Sequence, residues 1–238
     1  MTFSTMLSTM SAGMLRTCGI FLITLALSLP LGFLVACGRM SRWAPFAFIN
    51  RSKKEHGKFL RGLGSFKPVR FIVKIYISIM RGTPLMLQLL VWYFGPFYLF
   101  GWSIRGYRFA AIVIGFVLNY AAYFAEIYRS GIESMPVGQY EAAEVLGYTK
   151  SQTFMKIILP QVIKRILPSV TNEVITLVKD TSLAFTLAYQ EVFSIAKQIA
   201  ASQTSFMPFL IAGVFYFIAN YVVAFAMERI EKRLAYYR

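Results

Sequence analysis

Lys179 and Asp180 raise the sharpest chemical question in this sequence, because they lie in an otherwise apolar run, Thr171 to Tyr189, that also carries Asn172 and Glu173. If the helix enters lipid near Pro168, a rise of 1.5 Å per residue lifts Asp180 by about 18 Å. That is near the middle of a hydrocarbon core roughly 30 Å thick. Charges at such depth are expensive. They form a self-neutralising structural pair, bond to a partner subunit, or line a route for a charged or zwitterionic solute, and Thr181 and Ser182 extend the polar run. A second polar set, Asn119, Tyr120, Tyr123 and Glu126, sits in the apolar run Phe109 to Arg129. An acid near a span end costs less than the roughly 2.5–3.5 kcal/mol charged at the centre. Glu126 still needs a partner or access to water, and Arg129 is one turn away. No catalytic or metal set is readable. His56 is the sole histidine, no acid and base stand at a working spacing, and the Gly-x-x-x-x-Gly-Lys-Ser/Thr phosphate loop is missing.

A polar stretch, Gly138 to Pro160, lies between these apolar segments. Tyr140 to Leu146 are good helix formers, and Gly147 stands where a helix commonly ends in a left-handed residue. Thr149 or Ser151 can cap a second short helix with Phe154, Ile157 and Ile158 at helical spacing, which Pro160 is expected to close. The spacing predicts two short amphipathic helices at an angle, held just outside a membrane.

These residues resemble a known family. Glu141, Ala142 and Ala143, then Gly147, then Ile157, Leu159 and Pro160 match the EAA signature of bacterial ABC-importer permeases at full spacing. Arg81, Gly82, Thr83 and Pro84, the run from Asn119 to Arg129, and Lys179-Asp180-Thr181-Ser182-Leu183 are similar to the polar amino-acid permeases within it. The resemblance implies that Gly138, Gln139, Glu141, Ala142, Ala143, Gly147, Ile157, Leu159 and Pro160 couple the chain to ABC ATPase subunits. It implies a second permease, identical or paralogous, an extracytoplasmic solute-binding protein, and a polar amino-acid substrate. ATP and Mg would sit on the ATPase, with no cofactor on this chain, which is therefore not itself an enzyme. Asn119, Tyr123, Glu126, Lys179, Asp180, Thr181 and Ser182 become candidate pathway residues that either touch solute or shape the gate. Arg81, Gly82, Thr83 and Pro84 become a candidate gate or kink.

The elements that position these residues read as an all-α polytopic membrane protein, one permease domain over residues 1–238. A first span runs from about Leu15 to Cys37 and reads as an anchor rather than a cleaved signal, since no small-x-small site precedes polar sequence. With Arg16 its only charge, it reads as peripheral. A second span begins at Val69 to Met80, passes the Arg81 to Pro84 break and continues to Phe100. Phe109 to Arg129, Thr171 to Tyr189 and Pro208 to Met227 complete five spans, with Glu191 to Phe206 as an outer loop. The basic loop 39–70, whose only acid is Glu55, the coupling loop 131–164 and the basic tail are cytoplasmic by the positive-inside rule, placing the N-terminus outside and the C-terminus inside. The expected location is the bacterial inner membrane.

Composition argues against an ordinary soluble domain and against a nucleic-acid binder. The chain is 57% hydrophobic and only 15% charged, with mean hydropathy +0.58, too apolar for an ordinary soluble domain. Its net charge of +15 clusters beside apolar spans, with no nucleic-acid reader motif, so the bases orient the protein and touch anionic lipid. Cys18 and Cys37 read as small core or lipid-facing residues. A secondary transporter or channel subunit working without an ATPase is the alternative, although neither repeated halves nor paired broken helices are readable.

Overall fold

The computed structural model describes residues 2–45, 66–103 and 105–234, and every regular element among them is helical. The helices are α1 Phe3–Met40, α2 Pro68–Gly82, α3 Leu85–Phe100, α4 Arg108–Glu133, α5 Val137–Val145, α6 Lys150–Gln152, α7 Leu159–Asp180, α8 Val192–Gln203 and α9 Met207–Leu234. A π-helical segment, Thr153–Ile158, joins α6 to α7, and a 3-10 segment, Thr181–Leu187, follows α7. Three helices, α1, α4 and α9, are long and apolar enough to cross a membrane, or four spans if α2 and α3 count as one bent span. The centre of the basic loop, with His56 and the three glycines Gly57, Gly62 and Gly64, lies outside the described residues.

The core forms around α4. Phe116, Tyr120 and Phe124 are buried there against Ile20 of α1, Leu89 of α3 and Leu177 of α7. Where the sequence suggests a peripheral α1, the structure embeds it. Met10, Gly13, Thr17, Ile20, Thr24, Ser28, Gly32 and Ala36 recur every third or fourth residue and are buried. Small residues along one stripe let helix backbones approach closely, as helix pairs in lipid commonly require. At Gly32 an added Cβ would stand 2.8 Å from Phe124 Cβ and 3.1 Å from the Ala121 carbonyl oxygen. The near absence of charge reflected lipid exposure on the other face, which the stripe of small residues outweighs.

The expected outer loop is also largely helical. Val192, Ile195, Ala196, Ile199 and Ala200 of α8 are buried, packing with Met6 and Met10 of α1 and Ala212 of α9. Glu191 is fully buried and caps the helix, accepting from Phe193 N at 2.7 Å, from Ser194 N, and from the Tyr216 hydroxyl at 3.0 Å. The recurrence at three and four residues was present in the sequence, hidden among Lys197, Gln198 and Ser202. Pro160 does not close a helix either. It lies in the first turn of α7, where a missing N–H is tolerated, and the second arm of the hairpin runs on into the span.

Candidate functional site

The first arm of the hairpin, α5, ends as its sequence dictates. Gly147 is left-handed at φ +77, with Gly147 N donating to Glu144 O at 2.9 Å and Tyr148 N to Ala143 O at 3.0 Å. That is the paired bonding of a Schellman cap. Thr149 then opens α6 with a capping box: its hydroxyl accepts from Gln152 N at 3.3 Å, and Gln152 Oε1 accepts from Thr149 N at 2.9 Å. Of the expected coupling residues, Ala143 is buried, while Gly138, Glu141, Ala142, Gly147 and Pro160 are exposed and Gln139, Ile157 and Leu159 half-buried. Ile157 packs beside Met135, Ile158 and Val162, and Gln161 bridges the arms, donating to Gln139 Oε1 at 3.4 Å. Arg165 fastens the hairpin base by donating to Ser134 O at 2.6 Å. Val145 and Leu146 are 87% and 74% exposed, an apolar tip the chain itself leaves uncovered.

The break between α2 and α3 is a bend of 112°. Thr83 is extended and Pro84 lacks a donor, so carbonyls at the end of α2 lose their helical partners. Gln88 replaces them. Its Nε2 donates to Met80 O at 2.9 Å and Thr83 Oγ1 at 2.8 Å, with Thr83 O at 3.1 Å. Asn119 Nδ2 donates to Met80 O and to Gln88 Oε1, both at 3.0 Å. The two amides, 7% and 4% exposed, latch the bend to α4. Asn119, expected on the pathway, therefore spends its donors on the bend. Gln88 is absent from the sequence-derived set, although it is the only strongly polar side chain between Leu85 and Phe100.

The next residue, Tyr120, reaches the second irregular point, where α7 tightens into the 3-10 segment. Its hydroxyl donates to Asp180 Oδ2 at 2.7 Å. Thr83, Asn119, Tyr120, Tyr123, Glu173 and Asp180 bound a cavity of about 220 Å³. Tyr123 and Glu173 also line a wider cleft of about 520 Å³, whose walls carry Arg81, Glu126, Arg129 and Arg165. Lys179 is exposed and lines neither. Thr181 is buried, donating to Val178 O at 2.6 Å, and Ser182 donates to Lys179 O at 2.8 Å. Neighbours in sequence are thus separated in space, and Tyr120 and Glu173 join Asp180 instead.

The two cavities differ in charge. Glu126 accepts from Arg129 Nε at 3.2 Å on both oxygens and from Nη2 at 2.6 Å, the fork-like pairing that arginine favours. Arg39 lies 3.6 Å and Arg81 4.0 Å from the same carboxylate, so α1, α2 and α4 share one acid. The Arg81 guanidinium also stands 5.1 Å above the Tyr123 ring. Deeper in, among the described residues, neither Glu173 nor Asp180 forms an ion pair. The inner cavity presents carboxylates without cations, and the wider cleft presents arginines.

Comparison with known proteins places this arrangement in context. Residues 59–236 match the family described as binding-protein-dependent transport system inner membrane component. The arginine transport system permease protein ArtQ of Bacillus subtilis (strain 168) is 36% identical over 173 residues, 72% of this chain and 78% of ArtQ. The putative glutamine transport system permease protein GlnP of Rickettsia bellii (strain RML369-C) is 39% identical over 170 residues, 71% of this chain and 77% of GlnP. Among solved structures, an amino acid ABC transporter with histidines superposes with a TM-score of 0.79 at 28% identity, covering 98% of this chain and 99% of that one. The inward-facing MetNI methionine ABC transporter shares the fold, with a TM-score of 0.66 at 19% identity over 99% of this chain and 100% of that one.

Proposed function

The chain belongs to the family of binding-protein-dependent transport system inner membrane components, and from that membership we propose that it is the permease subunit of an ATP-driven importer of polar amino acids. The similarity to arginine and glutamine permeases and to an amino acid ABC transporter supports the substrate class. The finer reading is five spans with N-terminus outside and C-terminus inside, in a bacterial inner membrane. Two permeases enclose the route and an extracytoplasmic binding protein delivers solute. A separate ATPase, holding ATP and Mg, seats on α5 and α6, where the exposed Val145 and Leu146 leave an apolar tip for it.

One observation carries the transport reading within this chain: the cavity at Asp180 shares Tyr123 and Glu173 with the cleft that Arg165 lines at the base of the hairpin. A route that passes unpaired carboxylates suits a solute bearing an ammonium group, since its positive charge offsets the cost of keeping those acids in a low-dielectric site. Arg81, loosely held at 4.0 Å from Glu126, then stands as a cation that the solute must pass on its way inward. Closure of the ATPase pair moves α5 and α6, and the continuity of α6 with α7 through the π-helical segment carries the motion to Asp180.

The test is uptake into proteoliposomes containing the permease, its ATPase and binding protein. Labelled amino acid should accumulate only with ATP. Asp180→Asn should lower the maximal rate at least about ten-fold, the order expected when one charge-assisted hydrogen bond is lost, while ATPase co-purification stays unchanged. Uptake that persists without ATP would overturn the importer reading in favour of a channel or secondary transporter.

A further inference from the structure

Helix α2 divides into three arcs. At 100° per residue, Val69, Val73, Tyr76, Ile77 and Met80 fall together. This is the packed arc: Ile77 is buried with Ala36, Ala122 and Ala125, Val73 and Met80 pack on that cluster, and Tyr76 donates to Leu118 O. The second arc carries Phe71, Ile72, Ile75 and Ile79, all exposed, with Ile72 at 65%. The third, between the first two on the other side, carries three cations, Lys67 at the N-cap, Arg70 and Lys74, and ends at Arg81, which turns to Glu126. The helix contains no acid, and among the described residues none of these three cations forms an ion pair.

A row of unpaired cations beside an uncovered apolar row has one matching occupant. A second protein chain would bury the apolar arc against a charge-depleted patch and would offer acids to the cations. A bilayer surface takes both at once: the isoleucines enter the acyl region, and the long basic side chains extend along it to the phosphates. We propose that α2 is a binding helix for anionic phospholipid headgroups, in the leaflet on the side of the coupling hairpin. Lys67, Arg70 and Lys74 hold the phosphates, and α2 makes transport responsive to the anionic fraction of that leaflet.

The fold supplies the connection. α2 ends at the latched bend, where Met80 O is held by both Gln88 and Asn119 and where Arg81 stands between Glu126 and Tyr123. A helix fixed at headgroup level fixes the height of Arg81 in the cleft. Without anionic lipid, α2 keeps only its packed arc, and the bend loses its outer support.

The permease with its ATPase and binding protein is reconstituted in phosphatidylcholine, with and without phosphatidylglycerol. Retained lipid is counted by native mass spectrometry, and ATP-dependent uptake is measured on the same preparations. Wild type should prefer phosphatidylglycerol, and that preference should fall about five-fold for each cation removed in Lys67→Gln, Arg70→Gln and Lys74→Gln. The triple variant should match wild type in pure phosphatidylcholine and lose the stimulation by phosphatidylglycerol. Removing the same charge from the loop, as Arg51→Gln, Lys53→Gln and Lys54→Gln, should lower retention less than the α2 triple variant does and should preserve the stimulation of uptake. Wild-type lipid retention in the α2 triple variant would overturn the proposal, as would an intersubunit disulfide through Ile75→Cys in a background lacking Cys18 and Cys37. Lipid retention is read without transport, so selective retention with no uptake would count against the importer reading alone.

Discussion

Gln88 and Asn119 show how two neutral amides can decide a geometry that charged residues then use. Each spends its hydrogen bonds on orphaned groups at the bend, and both side chains are buried. Gln88→Leu leaves Met80 O and Asn119 short of partners, and a buried polar group without a partner costs about 1–3 kcal/mol. The expected outcome is a lower unfolding temperature in detergent. Asn119→Leu added to Gln88→Leu should cost less than the sum of the two, because one network is being removed twice. Additive losses would mean that the amides act separately.

At the scale of the element, the hairpin separates its own stability from its external surface. Ala143, Ile158 and Val162 face inward, and the Schellman cap and capping box close the turn without outside help. Leu146 touches little of this. Leu146→Asp should leave the unfolding free energy within about 0.5 kcal/mol of wild type, as exposed substitutions usually do, yet reduce ATPase co-purification by at least about ten-fold if the tip is a desolvated contact. Equal ATPase recovery from both proteins would remove α5 as the docking arm.

Across the whole molecule, α1 is the strap that keeps the bend, the cleft and the outer layer in register. It meets α4 along Gly32, α8 at Gly13 and α2 near Gly38. Gly32→Val drives a side chain into Phe124 and the Ala121 carbonyl, and such overpacking typically costs about 1–3 kcal/mol. Gly19→Val points into open space, with nothing within 4 Å of its Cβ position, and should be nearly neutral. Thermal unfolding of the two variants compares a seam position with an unpacked one on the same helix. Equal losses would mean that α1 is held by its length rather than by its stripe.

The sequence by itself determined what depends on local chemistry. Gly147 ends α5 because only glycine enters the left-handed region without penalty. Thr149 caps because its hydroxyl reaches Gln152 N, and the apolar runs require lipid whatever their neighbours. The EAA pattern and the break at Arg81 to Pro84 belong to the same class. The tertiary structure decided what depends on rotation and distance between helices. Lys179 and Asp180 are adjacent in the chain, yet a helix turns 100° between them, so that only Asp180 meets Tyr120 and the cavity. Gln88 had no assigned role until the bend brought Met80 O and Asn119 to it. The small-residue face of α1 acquired its partner only when α4 lay against it, because close approach is a property of two surfaces and is not written in either one alone.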